Sequence, residues 1–287
     1  MTDAAGRPSR RRWLAAAEGA LREAGSEDPP FEASLLLARA LGEERLRVLA
    51  FADEALSTVE AAKAEDWLEH RLQGVPLAYL EGRADFYGRP FGVDPAVLIP
   101  RADSECLIDL VLGREELDRP TTILDLGTGS GCLLLTLLAE RPAWRGIGID
   151  RSPAALAVAR GNAAALGLED RASFLQSDWL GALRLGAEVG LVVANPPYVL
   201  PGEALGPGVA EHEPDLALYS AADDALSAYR RILLDCRSWS REARLLFEIG
   251  AGRAPELDQL AAAHGFRRLA EAHDLGGILR ALLYAPV

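Results

Sequence analysis

Residues 121–131 read Thr121-Thr-Ile-Leu-Asp-Leu-Gly-Thr-Gly-Ser-Gly131, and Cys132-Leu-Leu-Leu follows directly. The short aliphatic run predicts a strand, the glycines a turn, and the longer apolar run a helix. Glycine at 127, 129 and 131 lets the backbone turn tightly and approach a ligand closely, while the helix N-terminus aims its free N–H groups at that ligand. A nucleotide-like ligand is the reading that uses all of these features.

Outward from this stretch, β-rich runs alternate with helical ones. Thr121–Asp125, Gly146–Asp150, Ala172–Gln176, Val189–Ala194 and Leu245–Ile249 are expected as strands, with helices near Ser130–Glu140, Pro153–Leu166, Leu226–Asp235 and Pro255–His264. Such alternation predicts an α/β domain with a mostly parallel sheet covered by helices on both faces. Before it, apolar residues recur at helical spacing: Trp13, Leu14, Ala17 and Leu21; Phe31, Leu35, Leu36 and Leu37; Val59, Ala62, Trp67, Leu68 and Leu72. Between Gly74 and Arg101 the texture changes to glycine, proline and aromatics, as expected of a hairpin linker. The chain therefore divides into a helical domain over 1–74, a linker over 75–101 and the α/β domain over 102–287.

The 287 residues suffice for two cores, and 49% hydrophobic with 25% charged residues is ordinary for a globular protein. A net charge of −13 opposes a broad nucleic-acid groove, whose affinity comes from cations neutralising phosphates. Cys106, Cys132 and Cys236 are odd in number and far apart, which suggests neither a disulfide framework nor a zinc site and fits a reducing cytoplasm. No apolar run reaches the roughly 18 residues of a membrane span. The arginines at 7, 10, 11 and 12 read as a frayed terminus.

The glycine loop departs from the dinucleotide fingerprint, which needs a third glycine where Cys132 stands. Its spacing resembles instead the first motif of class I S-adenosylmethionine methyltransferases. Gly127, Thr128, Gly129, Ser130 and Gly131 then form the cofactor loop. Asp150 ends the next strand, 21 residues after Gly129, where an acid can accept both ribose hydroxyls. Asp178-Trp179 follows the third strand, where the aspartate can accept from an adenine amino group and the indole can lie against the ring.

The fourth strand ends abruptly in Asn195-Pro196-Pro197-Tyr198. Two prolines fix φ and remove two donors, so the turn is stiff and rich in acceptors. An amide or exocyclic amino nitrogen is a weak nucleophile because its lone pair is conjugated. The Asn195 side-chain oxygen and the Pro196 carbonyl can each accept one of its N–H groups and aim the lone pair at a methyl donor, with Tyr198 packed against the planar group. The four histidines are scattered, and no base, metal or covalent nucleophile is required.

The chain resembles the release-factor glutamine methyltransferases over essentially its whole length after the first dozen residues. The resemblance rests on Gly74-Val-Pro-Leu-Ala-Tyr-Leu-Glu-Gly-Arg83, Leu98-Ile-Pro-Arg101 with Ser104-Glu105, Asp125 to Gly131, Gln176-Ser-Asp-Trp179, Asn195 to Tyr198, and Glu213-Pro214. It implies a helical N-terminal domain that helps hold a class 1 peptide-chain release factor, a hairpin linker, and a class I methyltransferase domain with a seven-stranded sheet. The implied reaction converts the glutamine of the factor's Gly-Gly-Gln loop to N5-methylglutamine at the expense of S-adenosylmethionine. The family usually has proline at 102 and threonine at 104, where this chain has Ala102 and Ser104; it also departs at Ala222-Asp-Asp-Ala225 and Ile278-Leu279. A ribosomal-protein glutamine is the alternative within the same chemistry. An adenine-N6 nucleic-acid substrate, whose base must be flipped out, is disfavoured by the acidic charge.

Overall fold

The computed structural model describes residues 8–117, 119, 121–181, 189–221, 224–239 and 243–287. The chain forms two compact units, one of Met1–Gly82 with Gly206–His212 and the other of Arg83–Leu205 with Glu213–Val287.

The first unit contains α1 (Arg10–Glu23), α2 (Pro29–Leu41), α3 (Arg45–Ala50), α4 (Thr58–Leu72) and α5 (Leu77–Glu81). Each long helix starts where a side chain can satisfy the first free N–H groups: Ser9 caps α1, Asp28 caps α2 ahead of two prolines, and Ser57 with Glu60 makes a reciprocal capping box on α4. Trp13, Ala17, Leu36, Leu37, Val48, Leu56 and Ala64 fill the core. The expected inner face of α2 is corrected by one step. Phe31 is 46% exposed, because Asp28 caps the Phe31 N–H and leaves that ring in the first turn, off the stripe of Ala33, Leu36, Leu37 and Ala40. The Arg45 guanidinium lies over the Phe31 ring at 4.5 Å. Val59, Ala62 and Leu72, also expected inside, are exposed.

The arginine-rich start is likewise not frayed from residue 8 onward; Arg7 lies outside the described residues. Arg10 is 5% exposed and holds both carboxylate oxygens of Glu43, at 2.9 and 3.0 Å, with Glu54 at 3.0 Å. The buried guanidinium persists because two carboxylates meet its terminal nitrogens. Gly206–His212 joins this unit through α9 (Val209–His212). His212 Nε2 lies 3.0 Å from the Gln73 carbonyl, and a Cβ on Gly208 would stand 2.2 Å from the Gly74 carbonyl oxygen.

The second unit opens with an antiparallel hairpin, β1 (Arg83–Phe86) and β2 (Arg89–Gly92), followed by α6 (Glu105–Leu112). Then come β3 (Thr122–Leu126), α7 (Cys132–Glu140), β4 (Arg145–Asp150), α8 (Pro153–Ala165), β5 (Ala172–Gln176) and β6 (Val189–Ala194). After α10 (Asp215–Leu218) and α11 (Ser227–Trp239), the chain ends in β7 (Arg244–Glu248), α12 (Ala254–Ala263), β8 (Phe266–His273) and β9 (Leu279–Pro286). The seven-stranded sheet runs β5-β4-β3-β6-β7-β9-β8. β3 to β7 are parallel, and β8 and β9 are antiparallel. Alternation along β3 sends Ile123 to one core with α6, α7 and α8, and Leu124 and Leu126 to the other with α11 and α12.

The expected strands all form within one residue of their expected limits. The last two strands follow no expectation from periodicity, since β8 begins Phe-Arg-Arg on an exposed sheet edge. Among the described residues, no helix is long and apolar enough to cross a membrane.

Candidate active site

Winding reverses between β3 and β6, because β4 and β5 lie on one side of β3 and β6 and β7 on the other. Open α/β sheets bind ligands at the carboxyl ends of the strands flanking such a point. Register brings four residues to that edge: Leu126 pairs with both Ile149 and Ala194, and Ala194 with Phe247. The next residues along are Gly127, Asp150, Asn195 and Glu248.

The loop from Gly127 to Gly131 has positive φ at all three glycines, 73°, 53° and 81°. Gly127 and Thr128 donate to the Ile149 carbonyl at 2.8 and 3.0 Å, and Gly129 donates to Asp150 Oδ2 at 3.0 Å. Asp150 Oδ1 accepts from the Ser152 N–H at 2.8 Å. The strand-end acid thus shapes the loop. From below, buried Asn162 donates to the Ser130 carbonyl at 2.8 Å and bonds both the N–H and the carbonyl of Gly92 in β2. Asp125 is fully enclosed and accepts from Thr128 Oγ1 at 2.6 Å. Burial pushes its carboxyl up to about 7, against the pull of that hydroxyl and the Leu134 N–H, with Asp150 adding repulsion.

A cavity of about 580 Å³ lies over this edge, within the roughly 300–1,000 Å³ of small-molecule sites. Gly127, Thr128, Gly129, Ser130, Asp150, Asp178, Trp179, Asn195 and Pro197 line it, nine of the twelve expected site residues. Gly131 is not among the lining residues; its missing Cβ leaves room for Leu135 and Ala159. Pro196 and Tyr198 are also outside the lining: Pro196 is buried, and the Tyr198 ring packs on Gly250, where a Cβ would come within 3.0 Å. Burial first, then Glu248, raises the Tyr198 phenol, which is therefore neutral.

Trp179 has φ of 50°, a conformation that costs a non-glycine residue about 1–3 kcal/mol. Its indole faces the loop, and a Cβ added to Gly127 would stand 3.8 Å from Trp179 Cζ3. The indole therefore packs close to the glycine loop, and both line the cavity.

Several lining or neighbouring residues escaped the sequence reading as site residues. Glu213 is buried, accepts from the Ile99 N–H at 3.1 Å and from Arg101 at 2.5 Å, and so fixes the end of the linker against the cavity. Ser104 lines the cavity and donates to Glu248 Oε2 at 2.5 Å. Glu248 had a signal: it is the one charged residue within the apolar run Leu245-Leu-Phe-Glu-Ile249.

Comparison with known proteins agrees with this geometry. A family model described as the PrmC N-terminal domain matches residues 12–82, and one described as a methyltransferase domain matches residues 117–218. The chain is 41% identical to the release factor glutamine methyltransferase of Cereibacter sphaeroides, covering 92% of this chain and 94% of that one. It is 40% identical to the Moorella thermoacetica protein of the same name (90% and 91% covered) and 35% identical to that of Escherichia coli (92% and 94%). Among solved structures, the hMettl16 catalytic domain in complex with the MAT2A 3′UTR hairpin 6 superposes with a TM-score of 0.55 at 15% identity, covering 76% of this chain and 81% of that one. That likeness is one of fold.

Proposed function

The chain belongs to the release factor glutamine methyltransferase family, and from that premise we propose that it methylates the Gly-Gly-Gln glutamine of class 1 peptide-chain release factors. It is an S-adenosylmethionine-dependent protein glutamine methyltransferase, and the product at nitrogen is N5-methylglutamine. The observation that carries the site assignment is the register that sets Asn195 beside the glycine loop on one cavity wall.

S-adenosylmethionine supplies a methyl group on a sulfonium, which departs as a neutral thioether. Gly127 to Gly131, Asp150, Asp178, Trp179 and Asn195 would hold it, with the indole against the adenine. The work left to the chain is orientation of a weak nucleophile. Asn195 Oδ1 and the Pro196 carbonyl accept hydrogen bonds from the two amide N–H groups and turn the nitrogen lone pair toward the methyl group. As the N–C bond forms and the S–C bond breaks, the nitrogen, now acidic, gives up one proton to solvent. Pro197 and Tyr198 keep the target group flat and dry. Residues 1–74 dock the release factor, 75–101 serve as hairpin linker, and 102–287 carry the transfer. The acidic charge supports a protein acceptor over nucleic acid, and three free, widely spaced cysteines support a cytoplasmic location.

The test supplies labelled S-adenosylmethionine with an unmodified release factor, a ribosomal-protein glutamine substrate or duplex DNA, and maps label by mass spectrometry. Label on the Gly-Gly-Gln glutamine is expected. Label on the ribosomal protein or DNA, with none on the release factor, overturns the assignment.

A further inference from the structure

Glu248 ends β7, and β6 beside it ends at Ala194, paired with Phe247. One residue on, Glu248 and Asn195 are neighbours at the carboxyl edge of the sheet. Glu248 is 3% exposed. Its carboxylate accepts from Ser104 Oγ at 2.5 Å and its peptide carbonyl accepts the Tyr229 hydroxyl at 2.7 Å, while the Asn195 carboxamide lies near enough to hold the Glu248 carboxyl down. Burying an ionisable acid in an apolar strand disfavours the fold, and nothing in the strand pairing needs it.

We propose that Glu248 is a positioning residue for methyl transfer: by accepting from the Asn195 amide it fixes which end of that carboxamide faces the cavity. This inference rests on the reading of Asn195 as an acceptor for the target nitrogen. A carboxamide is nearly symmetric in shape but opposite in polarity at its two ends. Flipped by 180°, Asn195 would present two N–H groups to a nitrogen that itself carries hydrogens, and the nucleophile would lose one of its two anchors. An ionised carboxylate only accepts, so it selects the orientation with Oδ1 toward the acceptor. A glutamine or a protonated acid at 248 can donate as well and permits both orientations. Ser104 adds the second bond that keeps the carboxylate in place.

The charge on Glu248 is accessible to titration. Burial pushes its carboxyl up to about 7, opposed by the bonds from Ser104 and Asn195 and by Arg280 on β9. Asp103 raises it further, and the remaining titratable groups facing it are Tyr198, Tyr229 on α11, Cys106 on α6 and Cys132 on α7.

The test compares kcat against pH for the full-length wild type, Glu248→Gln and Ser104→Ala on whichever acceptor takes label in the three-substrate assay. Failure of the release-factor reading therefore leaves this comparison intact. Glu248→Gln is expected to lower kcat about 10- to 100-fold, as a misplaced anchor does, with KM for cofactor and acceptor within about 3-fold of wild type. The wild type is expected to lose kcat as pH falls through about 7, Glu248→Gln to show no such limb, and Glu248→Asp, still acceptor-only, to recover part of the rate. Ser104→Ala keeps the limb but moves it to higher pH, because the bond it removes holds the carboxyl down. Wild-type kcat in Glu248→Gln, or an acid limb unchanged in both variants, overturns the proposal. Should Glu248→Gln fail to fold, the shift in Ser104→Ala decides alone.

Discussion

The backbone N–H of Gly129 points at Asp150 Oδ2 from 3.0 Å, so the glycine loop and the strand-end acid are one construction. Asp150 therefore acts twice, once on the loop and once, as proposed, on the ribose. Asp150→Ala is expected to weaken S-adenosylhomocysteine binding about 10- to 100-fold, the size of one or two charge-assisted hydrogen bonds. Isothermal titration calorimetry measures it; an unchanged Kd would remove Asp150 from both roles.

Asn195→Ala separates binding from chemistry. Cofactor affinity should stay within about 3-fold while turnover falls about 100- to 1,000-fold, the usual loss on removing one oriented partner of the transition state. Single-turnover rates at saturating cofactor give the comparison, and wild-type turnover in this variant would end the assignment.

Asp125 makes stability depend on pH. Its carboxyl keeps a proton up to about 7 when folded but releases it near 3.8 when unfolded. The stabilisation is present in full below the unfolded value and is lost as pH rises through about 7. Asp125→Asn lacks that loss, so its melting temperature relative to wild type should rise from pH 5 to pH 8.5. A difference that is flat or falls with pH contradicts the raised value.

Asn162 ties the hairpin to the glycine loop through three bonds to backbone groups of Gly92 and Ser130. Asn162→Ala strands buried polar groups and should destabilise the protein by about 2–4 kcal/mol, with weaker cofactor binding as well. Denaturant melts report the first and calorimetry the second; a loss below about 0.5 kcal/mol would show that water replaces the side chain.

Gly208 has φ of 76° and no room for a side chain against Gly74. Gly208→Ala is expected to make residues 202–212 a site of rapid limited proteolysis while cofactor affinity is retained. Wild-type cleavage kinetics would show that the contact yields without cost.

Much of this site could be read in advance because its elements announce themselves locally. The β3 loop carries glycine where φ must be positive, and the apolar run of β6 stops at two prolines, so both turns are written in residue type. Asp150 and Trp179 follow from strand ends alone. Glu248, Asn162 and Ser104 are different in kind. Each matters through a partner between 32 and 144 residues away, a relation that only the register of the folded sheet creates. Phe31 misled for the opposite reason, since its apolar spacing was right and the cap at Asp28 rotated it out of the core.

The helical unit is not continuous in sequence, for it takes in Gly206–His212 from beyond Asn195-Pro196-Pro197-Tyr198. During synthesis, residues 1–82 leave the ribosome long before that segment exists, so the unit cannot be completed in the order in which it is made. Its final contacts, His212 on Gln73 and Gly208 on Gly74, must wait for β3 to β6 to be translated. A gene cut or fused at residue 82 would therefore yield a helical half missing one of its own walls, and this unit cannot be exchanged between relatives as a simple leading module.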